Sequence, residues 1–532
     1  MIAGHLPSTV TFDVIERWRA EKQPHALLDV RERGEYALGQ IPGGCPLPRG
    51  LIEIVLPRLV PWQDTPLVLY SNDEHRSGLA ARTCLRLGYR NVSILEGGLR
   101  RWAEAGRTPL HGVSVTGKTF AERLSITGQV QQLTTEEVAG LDGDGGALII
   151  DIRTAGEYLN GHVPGARNVP AGELVSSLFA AGLDHTARSA PIIVHCAGRT
   201  RSIIGAYLLE RAGFGDVFAL RNGTMAWMMS GRELETGPRP WIAPAADPAG
   251  VVRAAEFASS FVGDSHAARI DGPEVAAMAG RACYVIDVRS AEEYTAGHIA
   301  GALSCPAGQL ANALEEQIAV RDALLVCYSN DETRARIGAG LLSRIGYHRV
   351  AWLAGGLDRW TGSVVAGGPN AYLDDLTFTG SDVRTIDRGG LAARLREGVG
   401  VVIDVRRSSE YALSHIPGSV WVPRGNLERR ISAYASSGTG LVVVSDRELR
   451  SALAARTLLD LGYPDVAILQ DGLNGWIASG GPAEDGLDGA DVSLTEAKEE
   501  VELLARRARV LERDREDMIR YLDWEERLGT ES

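Results

Sequence analysis

The sequence predicts an α/β protein built from four tandem copies of one domain, each a parallel sheet flanked by helices, with one more helix at the C-terminal end. Three observations carry this reading. An Asp-x-Arg pair closes an apolar run four times, at Asp29/Arg31, Asp151/Arg153, Asp287/Arg289 and Asp404/Arg406. Other residues keep a fixed distance from each aspartate: a tyrosine seven positions on (Tyr36, Tyr158, Tyr294, Tyr411) and a glycine fourteen on (Gly43, Gly165, Gly301, Gly418). Within a copy, short apolar runs alternate with helical patterns. The first copy shows Ala26 to Val30, Leu67 to Tyr70 and Val92 to Leu95, with a helical stretch from Ser77 to Leu87 between the last two. Apolar runs separated by helices indicate strands buried on both faces of a parallel sheet.

The copies stay aligned further downstream. One loop position holds Ser71, Cys196, Ser329 or Ser445. Seventeen residues later each copy has Gly-aromatic (Gly88-Tyr89, Gly213-Phe214, Gly346-Tyr347, Gly462-Tyr463), and thirty-one past the loop position a tryptophan (Trp102, Trp227, Trp360, Trp476) expected in the core. These offsets set domain boundaries near 7–126, 127–248, 249–378 and 379–486. The third domain opens with an extra helical segment near Val251 to Phe261. A Gly/Pro/Asp-rich run from Gly480 to Gly489 then leads to an amphipathic helix over 490–528, opened by the capping box Ser493-Leu494-Thr495-Glu496. Its apolar residues fall on two heptad rows, Leu494, Val501, Ala508, Arg515, Leu522 and Ala497, Leu504, Leu511, Met518. Two readings stand: packing on the chain's own domains, or a homodimerising coiled coil weakened by Arg515.

Composition narrows the function classes. The length of 532 residues suits about three to five domains, and 45% apolar with 23% charged residues is ordinary for a soluble globular chain. No apolar run approaches the ~20 residues of a membrane span, and the first residues lack the basic and apolar regions of a secretory signal. A net charge of −13 argues against nucleic acid as a partner. Six cysteines (Cys45, Cys84, Cys196, Cys283, Cys305, Cys327) show no paired spacing, which points to reduced thiols in a cytoplasmic protein and to neither a disulfide framework nor a metal site.

The segment His195-Cys196-Ala197-Gly198-Arg199-Thr200-Arg201-Ser202 carries the chemistry. A strand-like run, Ala190 to Val194, delivers Cys196, and a helical pattern from Ser202 to Glu210 leaves it. The thiol therefore sits in a turn at a helix N-terminus, where unpaired amides and the helix dipole favour negative charge. Arg199 and Arg201 lower a cysteine pKa further. In parallel sheets ligands bind beyond the carboxyl ends of the strands, where this loop falls.

The four copies resemble rhodanese-family domains, on the Asp-x-Arg strand end, the segment Gly161-His162-Val163-Pro164-Gly165 and the Cys-x4-Arg-Ser loop from Cys196 to Ser202. The match spans about residues 7–486, and its pattern is similar to that of tandem thiosulfate sulfurtransferases. The resemblance implies about five parallel strands per domain and a catalytic cysteine that holds sulfane sulfur as a persulfide. Cys196 is then the nucleophile, and the loop residues Ala197, Gly198, Arg199, Thr200, Arg201 and Ser202 cradle the anion, with Arg153 as a further attractor of the donor. Arg201 either orients the loop or binds substrate. No metal or organic cofactor is required. The partners are a small anionic sulfur donor and a cyanide or thiol acceptor. A sulfur-relay or interaction protein, in which other domains dock partners, is the alternative.

Loop length separates reaction classes. Related phosphatases and arsenate reductases have a Cys-x5-Arg loop, and here the sixth residue after the cysteine is Ser202. The loop also lacks the Cys-Gly-[Ser/Thr]-Gly pattern of mercaptopyruvate-preferring enzymes, which leaves thiosulfate or another anionic donor. Ser71, Ser329 and Ser445 cannot form a persulfide, and acidic neighbours such as Asp73, Glu74, Asp331, Glu332 and Glu448 repel an anionic donor, so domains one, three and four are expected to be inactive. The Asp-x-Arg aspartates, and His162 with its counterparts His298 and His415, recur irrespective of the thiol and read as structural.

Overall fold

The computed structural model describes residues 7–530 except 73, 142–145, 184–189, 240–246, 279, 371–382 and 488–511. The capping box Ser493 to Glu496 and most of the heptad rows lie outside the described residues. Each domain contributes five parallel strands in one order. In the second domain these run Gln131–Leu133, Val217–Leu220, Ile192–His195, Leu148–Asp151 and Arg167–Asn168. The fourth repeats the pattern with Arg384–Ile386, Val466–Leu469, Leu441–Val444, Val401–Asp404 and Val420–Trp421. The central strands are apolar apart from His195 because helices cover both faces. Ile192–His195 and Leu441–Val444 are buried along their whole length.

A capping box follows each Asp-x-Arg turn and fixes the next helix. Thr154 accepts from the Glu157 amide while the Glu157 carboxylate reaches back to the Thr154 amide, and Glu35, Glu293 and Glu410 hold the same position in the other domains. The arginine of each pair lies flat on its aspartate. Arg153 Nε and Nη2 donate to Asp151 at 3.0 and 2.6 Å, and Nη2 also reaches Gly161 O at 2.5 Å. The histidines of the Gly-His-x-Pro-Gly segment stack on the repeated tyrosines, His162 on Tyr158 with 3.8 Å between ring centres. Trp102, Trp227 and Trp476 are buried as expected. Trp360 is only half-buried, because a single 3-10 turn, Leu357–Arg359, precedes it where the others lie in a helix.

The chain divides into two units. One holds His25–Gly112 with Asn370–Ala497, that is, the first and fourth domains. They meet reciprocally through equivalent Pro-x-Gly segments. Arg49 Nη1 donates to Glu428 Oε2 at 2.7 Å, and Arg424 Nη1 donates to Glu53 Oε2 at 2.7 Å, the geometry of a pseudo-twofold contact.

The other unit holds Val113–Pro369 with Lys498–Ser532, so it contains the second and third domains and the last helix, Glu512–Arg527. Here the same segments meet as small residues: Gly308 would place a Cβ 2.6 Å from the Ala171 methyl. Two helices lock this pair. Val115–Ile126 packs on Thr200–Arg211 and Leu310–Ala313, and Pro248–Gly263 packs on Leu174–Ala180 and Thr333–Ile345. Both contacts need glycine for close approach. A Cβ on Gly117 would lie 2.0 Å from Ala311 O, and one on Gly250 would lie 1.9 Å from Phe179 O. The helix Val115–Ile126, which the repeat pattern left at the end of the first domain, thus belongs to the second unit, because its apolar face joins the core around Ile203, Ile337 and Leu341. No helix among the described residues is long and apolar enough to cross a membrane.

Candidate active site

Cys196 follows the strand Ile192–His195 directly and precedes the helix Thr200–Arg211, as the sequence predicts. The loop is held from behind by the helix Gly223–Met229. The Thr224 amide donates to Cys196 O and the Met225 amide to Ala197 O, both at 3.0 Å. This fit requires Gly223, whose φ is +50° and whose missing Cβ would stand 2.2 Å from Cys196 O. The loop carbonyls are therefore taken up by one helix. The amides of Thr200, Arg201 and Ser202 fall in the first turn of another, where no intrahelical acceptor exists. Cys196 is 2% exposed, and its Sγ lies 3.5 Å from Ser202 Oγ, which in turn donates to Arg199 O at 2.8 Å.

The two loop arginines are not open. Arg201 Nη1 and Nη2 donate to the capping glutamate Glu157 at 3.0 and 2.9 Å. Burial works against the Glu157 charge, but Arg201 and Thr154 outweigh it and hold the carboxyl at about 2. Arg199 Nε and Nη2 donate to Glu122 at 2.7 Å each, and its Nη1 donates to Asn222 at 2.8 Å and Glu526 at 2.6 Å. Burial raises the Glu122 pKa, with Arg199 opposing and Glu525 and Glu526 adding repulsion. The loop guanidiniums, 4% and 11% exposed, are thus buried as paired charges, the form in which burial is tolerated.

Beneath the loop, Arg153 is fully buried and its Nη1 has no hydrogen-bond partner. The first and third domains differ at this spot. Arg31 Nη1 donates to Asn72 at 3.1 Å and Arg289 Nη1 to Asn330 at 2.9 Å, whereas Ala197 stands at that position in the second domain. His195 replaces Tyr70 and Tyr328. Burial drives its pKa down to about 4 despite the pull of Asp151 Oδ2 at 3.8 Å, so its imidazole is neutral.

The serine loops close on themselves. Ser329 Oγ accepts from the Ala335 amide at 3.1 Å, and Ser445 Oγ donates to Arg447 O at 2.6 Å and meets Ser451 Oγ at 2.7 Å. Glu74 and Glu332 stand where the second domain has Arg199. Each accepts from a backbone amide, Glu74 from Gly97 at 2.8 Å and Glu332 from Gly355. The other thiols are packing groups: burial pushes Cys84 and Cys305 up to about 12 and Cys283 to about 11. Among the described residues no cluster of His, Cys, Asp and Glu side chains is arranged to hold a metal.

Several site residues escaped the sequence reading: Gly223, Asn222, Glu122, Lys118, Glu525 and Glu526. Gly223 had a signal, since a glycine recurs twenty-seven residues past the loop position at Gly98, Gly223, Gly356 and Gly472. The last helix also had one, an acidic residue on its apolar stripe. Its buried face is Met518, Tyr521, Leu522 and Glu525, and these apolar side chains pack with Ala197 and Met225. Part of the heptad pattern is thus used within the chain.

Comparison with known proteins agrees with this architecture. The Rhodanese-like domain family matches residues 11–105, 134–230, 268–363 and 388–479. The chain belongs to the rhodanese-like sulfurtransferase family. It is similar over 98% of its length to a crystal structure of thiosulfate sulfurtransferase from Pseudomonas aeruginosa, with a TM-score of 0.84, 32% identity and 97% of that chain covered. It is also similar to thiosulfate sulfurtransferase GlpE of Stutzerimonas stutzeri (strain A1501), 37% identical over 83 residues, which is 15% of this chain and 71% of the relative. The GlpE of Pseudomonas paraeruginosa (strain DSM 24068 / PA7) is 33% identical over 98 residues, 18% of this chain and 83% of its own length.

Proposed function

We propose that the second domain moves a sulfane sulfur from thiosulfate, or a similar anionic donor, to cyanide or a thiol. The observation that carries this reading is a thiol at the one loop position where the other three domains hold serine, set at the N-terminus of a twelve-residue helix. The Cys196 thiolate attacks the outer sulfur of thiosulfate. The S–S bond of the donor breaks, sulfite leaves with the electron pair, and the enzyme holds Cys-S-S⁻. Cyanide then attacks the outer sulfur, thiocyanate departs, and the thiolate is restored. The Ala197–Ser202 amides and the helix dipole stabilise the persulfide anion. Arg199 and Arg153 are the donor-attracting groups in this scheme. Arg201 orients the loop, because its pairing with Glu157 is repeated by Arg76 with Glu35 and Arg334 with Glu293 in the serine domains.

The reading draws support from the similarity to thiosulfate sulfurtransferases over nearly the whole chain. Domains one, three and four act as inactive supports. The test is thiocyanate formation from thiosulfate and cyanide, with the wild type beside Cys196→Ser. Turnover is expected to vanish in the variant, and turnover that survives would place the sulfur on another thiol. The second reading is a relay, in which the serine-bearing domains dock a partner protein and Cys196 hands it the persulfide. Poor turnover on cyanide, with persulfide still formed at Cys196, would select it.

A further inference from the structure

The mouth of the Cys196 loop is filled by the chain itself. The helix Glu512–Arg527 lays Met518, Tyr521 and Leu522 against Ala197 and Met225, with Met228, Met229 and Trp524 at the edge. The next residue on that face is Glu525, 1% exposed. Its Oε1 accepts from Thr200 Oγ1, the first side chain of the helix that follows Cys196. Its Oε2 has no hydrogen-bond partner and stands above the loop, 3.5 Å from where a Cβ on Gly198 would be. Glu526 takes Arg199 at 2.6 Å and Arg221 at 3.0 Å. Lys118, 1% exposed, anchors the helix from below, donating to Tyr521 OH at 2.8 Å under the Tyr521 and Trp524 rings.

Packing alone does not explain a carboxylate here. A buried carboxylate oxygen without a donor is costly, and an apolar side chain at position 525 would continue the stripe without that cost. The groups that Glu525 and Glu526 engage are those an incoming anion needs: the helix N-terminus at Thr200 and the guanidinium of Arg199. We infer that the last helix is an intrasteric plug, in which Glu525 stands in for the anionic donor on the Cys196 loop and Glu526 withholds Arg199, so that the donor enters only when the helix leaves its seat. The inference rests on the reading that Cys196 serves an anionic donor.

The test compares the full-length wild type with Glu525→Gln, which keeps the shape and removes the charge, and with Leu522→Asp, which unseats the helix from its apolar contacts. The readout is the alkylation rate of Cys196, followed by peptide mass spectrometry with iodoacetate as an anionic probe and iodoacetamide as a neutral one. Circular dichroism checks that each variant is folded. In Glu525→Gln, iodoacetate labelling is expected to accelerate about tenfold more than iodoacetamide labelling, the effect of removing one nearby like charge. In Leu522→Asp both probes are expected to accelerate, and the KM for thiosulfate is expected to fall in both variants. Unchanged labelling in two folded variants would overturn the plug. So would loss of turnover in Glu525→Gln with labelling unchanged, which would make Glu525 part of the working site. Faster labelling without thiocyanate formation in any form of the protein would uphold the plug and sink the donor reading instead.

Discussion

The loops at Cys196 and Ser329 sit at the same place on the same kind of sheet, yet they satisfy their buried groups in opposite ways. The serine loop is closed locally. Asn330 caps Arg289, the Ser329 hydroxyl takes the Ala335 amide, and Glu332 takes the Gly355 amide. The cysteine loop is left open by its own residues. Ala197 leaves Arg153 Nη1 without a partner, and Arg199 reverses the charge held by Glu332. Its charges are satisfied from far along the chain, by Glu122 in a helix before the domain and by Glu526 more than three hundred residues later. The difference teaches that the serine loop is satisfied by residues of its own domain, while the cysteine loop takes its partners from elements remote in sequence.

The comparison breaks most visibly at the glycines that seat the loops. Gly223→Ala puts a methyl within 2.2 Å of Cys196 O and should displace the thiol, with a fall in turnover of roughly 10²-fold. Gly98→Ala makes the same clash, 2.1 Å from Ser71 O, in a domain that holds serine at the loop position. Both should lose stability, by about 1–3 kcal/mol for the strained backbone, but only the first should lose turnover. Equal losses of turnover would mean that the serine domains take part in the chemistry.

The paired arginines give the next contrast. Arg201→Met and Arg76→Met each strand a capping glutamate and should each cost roughly 3 kcal/mol in thermal or denaturant unfolding. If Arg201 only orients the loop, the KM for thiosulfate changes little once the variant is folded. A rise of about tenfold or more, equal to losing one charge-assisted contact, would return Arg201 to the substrate.

His195 supplies a pH signature that the tyrosine domains lack. Its folded pKa of about 4 lies below the ordinary 6.5, so between those values the unfolded imidazole binds a proton that the folded one refuses. Stability should therefore fall as pH drops from about 6.5 towards 4. Glu157, held at about 2 against an ordinary 4.5, adds a later loss as pH falls from about 4.5 towards 2. Melting curves of His195→Tyr against pH should lose the upper step and keep the lower one. The smallest expected effect is at Ser329→Ala, which removes one buried hydrogen bond and should cost about 1 kcal/mol with turnover unchanged.

The periodic part of the molecule was legible in the sequence because each copy repeats its own local physics. The apolar runs became the parallel strands, and the Cys-x4-Arg-Ser turn fell between a strand and a helix as expected. The state of the arginines was not legible. Arg201 lies forty-four residues from Glu157, and Arg199 lies seventy-seven from Glu122, so the charge the motif carries is cancelled by groups with no local pattern. The ownership of the helix Val115–Ile126 was missed for a related reason: its partners lie far along the chain, in Thr200–Arg211 of the second domain and at Ala311 in the third. In the last helix, Met518 and Leu522 fall on the two heptad rows seen in the sequence, but nothing near them in sequence indicates that they face Ala197.

The central claim is that one thiol of six carries the sulfur, and the direct measurement is peptide mass spectrometry of the full chain after exposure to thiosulfate. The account predicts one added sulfur atom on the peptide containing Cys196 and on no peptide containing Cys45, Cys84, Cys283, Cys305 or Cys327. A labile sulfur found on any of those five, or a Cys196 peptide that stays unmodified while thiocyanate is formed, would contradict it.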